Sequence, residues 1–129
     1  MAKRILIVDD ERHVRTLLQS ALEPLLDAGI EIALVDSGVR AIEAAAERAP
    51  DLAIIDASMR EMSGSALCRE LRSLEGVEEL HIIMLYDKGQ EVDADLWLAA
   101  GANDLLVKPF DPDAVVARVS SVLGIEPLY

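Results

Sequence analysis

Aromatic residues are scarce in this 129-residue chain, which contains only Tyr86, Trp97, Phe110 and Tyr129. A surface that binds nucleic acid by stacking its bases therefore has almost nothing to be built from. Basic residues are also few, with 12 against 24 acidic residues and a formal net charge of −12. Because nucleic acids and anionic membranes are themselves negatively charged, this balance argues against direct contact with either.

Cysteine and long apolar segments are lacking as well. Cys68 is the single cysteine, so an intrachain disulfide and a zinc site built from cysteines are both excluded. No segment approaches the roughly 20 apolar residues that span a bilayer. The apolar run behind the basic start covers only residues 5–8 and is too short for a signal peptide. We therefore expect a cytoplasmic protein.

What the chain does have is an alternation of two patterns. Short apolar segments predict buried strands at 4–8, 52–55, 82–85 and 105–107, with a weaker one at 31–35. Apolar residues at helical spacing fill the intervals and predict five helices. Pro24 is expected to kink or end the first helix, and Gly101 to end the fourth. The second, third and fifth helices are expected to begin at Ser37, Ser63 and Asp111-Pro112.

Strands that alternate with helices form right-handed βαβ units, which predicts an α/β fold with a parallel sheet and helices on both faces. The length is that of one domain, and 52% hydrophobic residues can supply its core. We expect this domain to span residues 1–124, with a short C-terminal tail at 125–129.

Charged side chains follow the predicted strands. Asp9 and Asp10 follow the first strand, Asp56 follows the third, and Lys108 follows the fifth. The carboxyl ends of parallel strands share one edge of the sheet, so these side chains converge if the first and third strands are neighbours. One interpretation is solvated loop aspartates with Lys108 as an incidental counter-ion. We favour the other, a site for a hard divalent cation such as Mg²⁺, because clustered carboxylates otherwise repel one another.

A magnesium site with a further carboxylate and a lysine is suited to phosphoryl transfer. The positive charges neutralise the oxygens of the transferred group, and an ionised aspartate attacks it. The sequence has no glycine-rich phosphate loop of the GxxxxGK[ST] kind, which disfavours ATP as the donor. We expect the phosphoryl group to arrive already activated on another protein or a small molecule.

In order and spacing, the motifs resemble the receiver domain of two-component response regulators over essentially the whole chain. They are Ile5-Leu6-Ile7-Val8-Asp9-Asp10-Glu11, Asp56-x-x-Met59 followed by Gly64, Gly101-Ala102, and Val107-Lys108-Pro109-Phe110. The resemblance implies a flavodoxin-like fold with strand order 2-1-3-4-5. It also implies a signalling domain rather than an enzyme, which assists its own aspartyl phosphorylation and dephosphorylation.

The resemblance also implies roles for individual residues. Asp56 would accept the phosphoryl group from a histidine kinase or phosphotransfer protein, and Lys108 would contact that group. Asp10, Asp56 and the backbone carbonyl of Ser58 would hold Mg²⁺ directly, with Asp9 acting through water. The Lys108-Pro109 peptide bond would be cis. A downstream protein or effector domain would then read a changed surface.

Three positions depart from the family pattern. Tyr86 stands where the family usually carries Thr or Ser, and its phenol oxygen lies too far from the backbone to make the same bond. Leu105 stands where Tyr or Phe is frequent, and Arg60 replaces a usual Pro. Our hypothesis is that Asp56 is still phosphorylated but that Tyr86 and Leu105 form a different switch, with Tyr86 in space that Leu105 leaves open. The alternative is that Tyr86 simply packs at the edge of the sheet and that the protein switches weakly or not at all.

Two other function classes stay open on this sequence. The first is a pseudo-receiver, a protein-interaction module that signals without phosphate. The second, a flavodoxin-like enzyme or ligand-binding domain, is disfavoured by the lack of a glycine-rich loop and of aromatic residues. Family members that dimerise through their fourth and fifth helices are similar to this chain in having an arginine such as Arg118 on the last helix. A homodimer of this kind therefore stays open.

Overall fold

The computed structural model describes residues 2–126 and contains twelve elements within them. The strands are β1 (Arg4–Val8), β2 (Glu31–Val35), β3 (Leu52–Asp56), β4 (His81–Asp87) and β5 (Asp104–Lys108). The α-helices are α1 (Arg12–Ala21), α2 (Gly38–Glu47), α3 (Gly64–Arg72), α4 (Ala94–Ala100) and α5 (Pro112–Leu123). Two short 3₁₀ helices, Glu23–Ala28 and Glu91–Asp93, precede β2 and α4.

All five strands pair in parallel in the order β2-β1-β3-β4-β5, as predicted. The register sets Val8 opposite Ile55. The residues that follow, Asp9 and Asp56, therefore leave the sheet side by side at its carboxyl edge. At the other side of the sheet, Asp87 of β4 is opposite Lys108 of β5, which brings Lys108 to the same edge.

Two apolar cores cover the two faces of the sheet. Successive strand residues point to opposite faces, so Leu6 and Val8 pack with α2, α3 and α4, whereas Ile5 and Ile7 pack with α1 and α5. Strands that are buried on both faces explain the continuous apolar segments in the sequence. The sheet edge that carries the charged residues is thereby fixed between two well-packed layers.

The predicted helix boundaries are confirmed at four places. Ser37 Oγ accepts a hydrogen bond from the Arg40 N–H, and Ser63 Oγ accepts one from the Ala66 N–H. Gly101 ends α4 with φ of 116°, a conformation that glycine adopts without a steric penalty. Asp111 caps α5, and Pro112 occupies its first turn. The Lys108-Pro109 peptide bond is cis.

Several element ends differ from the predictions. The third strand includes Asp56, the fourth extends to 81–87, and the fifth to 104–108, because backbone pairing continues past the apolar residues. The first helix ends at Ala21, before Pro24, and a 3₁₀ turn places Leu25 in the core. Leu17 and Leu96 have the helical spacing of core residues but are 54% and 48% exposed.

The C-terminal tail is described only in part. Ile125 packs against the core formed with α1 and α5, and Glu126 follows it. The remaining predicted tail residues, 127–129, lie outside the described part of the chain. Within residues 2–126, none of the helices has the length and apolarity needed to cross a membrane.

Candidate functional site

Four carboxylates converge at the carboxyl edge of the sheet: Asp9, Asp10, Glu11 and Asp56. One carboxylate oxygen from each lies within 4.8 Å of those of the other three. Asp9 and Asp56 are buried, at 0% and 2% exposure, while Glu11 is exposed. The sequence predicted the convergence of Asp9, Asp10 and Asp56, and the packing of β1 beside β3 produces it.

The two oxygens of Asp9 differ in their surroundings. Oδ1 accepts a hydrogen bond of 2.9 Å from the Glu11 N–H, whereas Oδ2 is buried and has no hydrogen-bond partner. Burial raises the pKa of Asp9 to about 7, and the negative charge of Asp56 contributes in the same direction. The Glu11 hydrogen bond and the Lys108 charge oppose this rise. A buried acceptor without a partner is unfavourable.

Lys108 is the cation of the site. Its Nζ lies 3.5 Å from Oδ1 of Asp56, and both side chains are largely buried. The same Asp56 oxygen accepts a hydrogen bond of 3.1 Å from the Ser58 N–H. Burial by itself lowers the pKa of Lys108, but the carboxylates of Asp56, Asp9 and Asp87 outweigh it and raise the pKa above its usual value. Lys108 is therefore a charged ammonium at neutral pH.

The donor atoms fit a hard divalent cation. The cluster presents oxygen ligands only, which is what Mg²⁺ and Ca²⁺ prefer. The unpartnered Oδ2 of Asp9 gives a second, independent sign that a positively charged or hydrogen-bonding group belongs beside it. A cation there would offset the mutual repulsion of the carboxylates.

Arg60 contacts one carboxylate oxygen of Asp10, a residue predicted to bind the metal. The Arg60 N–H donates a hydrogen bond of 3.0 Å to Oδ2 of Asp10, and the Arg60 Nε lies 3.5 Å from the same oxygen. The guanidinium is 89% exposed, while Asp10 is 16% exposed. The receiver domains that the sequence resembles usually have Pro here, so this positive charge beside a predicted metal ligand distinguishes the chain from them.

We expect Arg60→Ala to tighten Mg²⁺ binding by up to about fivefold, since an exposed ion pair is worth about 0.2–1 kcal/mol. The substitution removes the competing guanidinium but keeps the backbone N–H. The measurement is a magnesium titration followed by Trp97 fluorescence. Arg40→Ala, which removes an exposed arginine paired with Asp36, is the matched control. Equal or weaker affinity in Arg60→Ala would contradict the competition.

Tyr86 lies against Trp97 of α4, with ring centroids 5.4 Å apart and planes inclined by 41°. Trp97 is buried, and Tyr86 and Leu105 are both partly buried against the core that contains it. The ring of Tyr86 is thus part of the packing between the sheet and α4. No small hydroxyl side chain stands at this strand end.

Three residues of the site were not among the predicted ones: Glu11 of the carboxylate cluster, Asp87 and Gln90. The Asp87 Oδ1 lies 3.7 Å from the Lys108 Nζ. The Gln90 Nε2 donates a hydrogen bond of 2.7 Å to Oγ of Ser58. Asp87 follows an apolar segment just as Asp9 and Asp56 do, so the same strand-end criterion could have found it. Gln90 has no such signal, because its contact joins two loops that are distant in sequence.

The chain has three further side chains of the metal-binding type, His13, His81 and Cys68, and none of them belongs to the carboxylate cluster of the described residues. His13 lies beside the cluster, with its Nε2 3.7 Å from Oε2 of Glu11. Cys68 is buried in the core. Arg118, the residue associated with dimerisation, uses its guanidinium within its own chain, where Nη1 donates to Oδ1 of Asp104 at 3.1 Å and to the carbonyl oxygen of Leu105 at 2.6 Å.

A parallel sheet of order 2-1-3-4-5, with buried aspartates and a lysine at its carboxyl edge, defines a receiver-type signalling domain. The chain belongs to the response regulator receiver domain family, whose model matches residues 5–120. It is 37% identical over 123 residues to the alkaline phosphatase synthesis transcriptional regulatory protein PhoP of Bacillus subtilis, an alignment that covers 95% of this chain and 49% of PhoP.

Solved structures agree with this assignment. The chemotaxis response regulator CheY4 of Vibrio cholerae superimposes with a TM-score of 0.81 at 27% identity, covering 95% of this chain and 99% of CheY4. The receiver domain of the sensor histidine kinase PA1611 from Pseudomonas aeruginosa, which has a magnesium ion coordinated in its active-site cleft, gives 0.83 at 27% identity, covering 96% and 99%. The chain spans about half the length of the curated relatives it matches.

Proposed function

We propose that the chain accepts a phosphoryl group on Asp56, from a histidine kinase or phosphotransfer protein, and thereby changes a surface that another protein or an effector domain reads. The observation that carries the proposal is the pairing of the buried Asp56 carboxylate with the Lys108 ammonium at 3.5 Å, beside three further carboxylates. Membership of the receiver family supports it.

The chemistry follows from the protonation states. A carboxylate oxygen of Asp56 attacks phosphorus and forms an O–P bond, while the bond from phosphorus to the donor's leaving atom breaks and its electron pair goes to the donor. Asp56 attacks as a carboxylate, the form that pairs with the Lys108 ammonium, so the step needs no general base. Lys108, which is held charged by its carboxylate neighbours, neutralises the negative charge on the phosphoryl oxygens.

Magnesium would supply further charge neutralisation at the phosphoryl oxygens. Asp10, Asp56 and the backbone carbonyl of Ser58 would hold it directly, and Asp9 would do so through water. The four carboxylates outnumber the two cationic side chains beside them, Lys108 and Arg60, and this excess of negative charge opposes the approach of an anionic phosphoryl donor. We therefore expect phosphorylation to depend on a divalent cation.

The test is incubation with acetyl phosphate, followed by intact mass spectrometry. We expect a single phosphoryl adduct with Mg²⁺, and none when EDTA replaces the metal. Asp56→Asn is the matched control, since it keeps the shape of the side chain and removes the nucleophile. An adduct that persists in Asp56→Asn would place the acceptor elsewhere.

The pseudo-receiver is a second candidate, favoured by the packing of Tyr86. In that case Tyr86 and Trp97 form a fixed part of an interaction surface, and the domain signals without phosphate. The absence of any adduct under conditions that load a known receiver domain would support it.

Homodimerisation through α4 and α5 stays a prediction, for which sedimentation with and without acetyl phosphate is the measurement.

A further inference from the structure

Asp87 shares Lys108 with the phosphoryl acceptor. The Nζ of Lys108 lies 3.5 Å from Oδ1 of Asp56 and 3.7 Å from Oδ1 of Asp87. This second contact is not accidental, because Asp87 is directly opposite Lys108 in the parallel pairing of β4 with β5. Paired residues on neighbouring strands point to the same face of a sheet.

The backbone of Asp87 is held in place from both sides. The Asp87 N–H donates a hydrogen bond of 2.8 Å to Oε1 of Gln90, and the Asp87 carbonyl accepts one of 3.0 Å from the Gln90 N–H. The amide of the same Gln90 side chain bonds Ser58 Oγ. The turn at 87–90 is thereby tied to the loop that follows Asp56, and the Asp87 carboxylate is presented to Lys108 at the mouth of the site.

From this geometry we infer that Asp87 is a positioning residue that competes with the phosphoryl group for Lys108. The inference rests on the proposed function of Asp56. Asp56 is buried, whereas the Asp87 side chain is 62% exposed. The acyl phosphate formed at Asp56 would carry about 1.5–2 negative charges in place of the single charge of the carboxylate, so Lys108 moves its contact entirely to the phosphoryl oxygens and releases Asp87.

The release of Asp87 from Lys108 would affect the core through the adjacent strand residue, Tyr86. Tyr86 precedes Asp87 and packs on Trp97, which is the only tryptophan in the chain. Its fluorescence is therefore a local reporter of the carboxyl end of β4. The Asp87 carboxylate would thus have two effects. It would lower the affinity of the unphosphorylated site for a phosphoryl group, and its release would signal that the group is bound.

The experiment uses the phosphoryl mimic beryllofluoride with Mg²⁺, titrated against Trp97 fluorescence. Asp87→Asn keeps the shape of the side chain and removes its charge. We expect it to tighten beryllofluoride binding by about two- to fivefold, the range of a partly exposed ion pair, and to reduce the fluorescence change. The tightening should shrink at high salt, since screening already weakens the pair. A packing role would not give this salt dependence.

Asp27→Asn is the matched control, because it makes the same charge change at an exposed site before β2, away from the carboxyl edge. Equal tightening in both variants would overturn the inference in favour of a general charge effect. Unchanged binding in Asp87→Asn, with wild-type binding intact, would overturn the competition alone. If the wild-type protein binds no beryllofluoride, the proposed function fails, and the competition falls with it.

The pairing itself is tested without any phosphoryl mimic. Urea unfolding of the wild type, Asp87→Asn, Lys108→Met and the double variant forms a double-mutant cycle. We expect the two substitutions to be non-additive by about two- to fivefold in the unfolding equilibrium constant. Additive effects would overturn the inference whatever the titration gives.

Discussion

Replacing Lys108 with alanine should slow the acetyl-phosphate-dependent phosphorylation of Asp56 by about 100- to 1000-fold, the usual effect of removing one preorganised group that stabilises transition-state charge. Lys108 is suited to this role because its ammonium already lies 3.5 Å from Oδ1 of Asp56 before any phosphoryl group is bound. No reorganisation is needed when charge develops. The measurement is the rate of adduct formation by intact mass at saturating Mg²⁺.

Lys88→Ala is the matched control for this prediction. Lys88 is exposed and follows β4 in the turn beside the site, so its removal changes the net charge by the same amount at the same edge. We expect a change of less than about threefold, as for exposed charges in general. A loss of less than tenfold in Lys108→Ala would mean that the ammonium is a counter-ion to Asp56 and takes little part in the transfer.

Without a metal ion, the buried Asp9 carboxylate should make folding stability fall as the pH rises. The pKa of Asp9 is raised in the folded protein from 3.8 to about 7, chiefly by burial. Below pH 4 the group is protonated in both states. Between pH 4 and pH 7 the folded state binds the proton that the unfolded state releases, so stability is lost progressively across this range and is constant above it. Each tenfold difference in proton affinity corresponds to about 1.4 kcal/mol.

The measurement is the difference in unfolding free energy between Asp9→Asn and the wild type in EDTA, by urea unfolding at each pH. Asparagine has no charge to desolvate, so we expect this difference to grow in favour of the variant by roughly 3 kcal/mol between pH 4 and pH 7. Asp36→Asn, which removes one negative charge from an exposed aspartate, is the control for a general charge effect. A flat profile for Asp9→Asn would mean that the carboxylate is solvated.

Magnesium should reverse this pH effect in the wild type. A cation that binds only the folded state stabilises it by mass action, and here it would also remove the repulsion among the ionised carboxylates. The site is therefore arranged so that the ionised, metal-free form is the least stable one.

The switch at Tyr86 stays a prediction. The sequence located the two unusual positions, Tyr86 and Leu105, and the structure places both against the core that contains Trp97. A ring packed on a buried tryptophan is not free to act as a small hydroxyl would. The contacts of Lys108 with Asp56 and with Asp87 would then link phosphorylation of Asp56 to the end of β4 more directly than Tyr86 does.

The sequence by itself determined most of the architecture. Continuous apolar segments separated by helical periodicity specified a parallel sheet, because only strands covered on both faces need apolar residues at every position. The positions of Asp9, Asp56 and Lys108 directly after such segments then specified one charged edge. The predicted helix boundaries that involve a cap, at Ser37, Ser63, Gly101 and Asp111, are confirmed, since capping depends on residues close in sequence.

Only the tertiary structure decided what depends on contacts between distant segments. The exposure of Leu17 and Leu96 follows from how far α1 and α4 are covered by their neighbours, which helical spacing does not contain. The burial of Asp9 Oδ2 and the sharing of Lys108 between Asp56 and Asp87 likewise arise where β1, β3, β4 and β5 end together. The scarcity of aromatic residues had excluded a base-stacking surface, and the fold adds that two of those residues, Tyr86 and Trp97, pack on each other beside the charged edge. Local sequence patterns fix which residues reach the edge of the sheet. Their pKa values and their ion-pair partners are set by the neighbours that packing brings within a few ångströms.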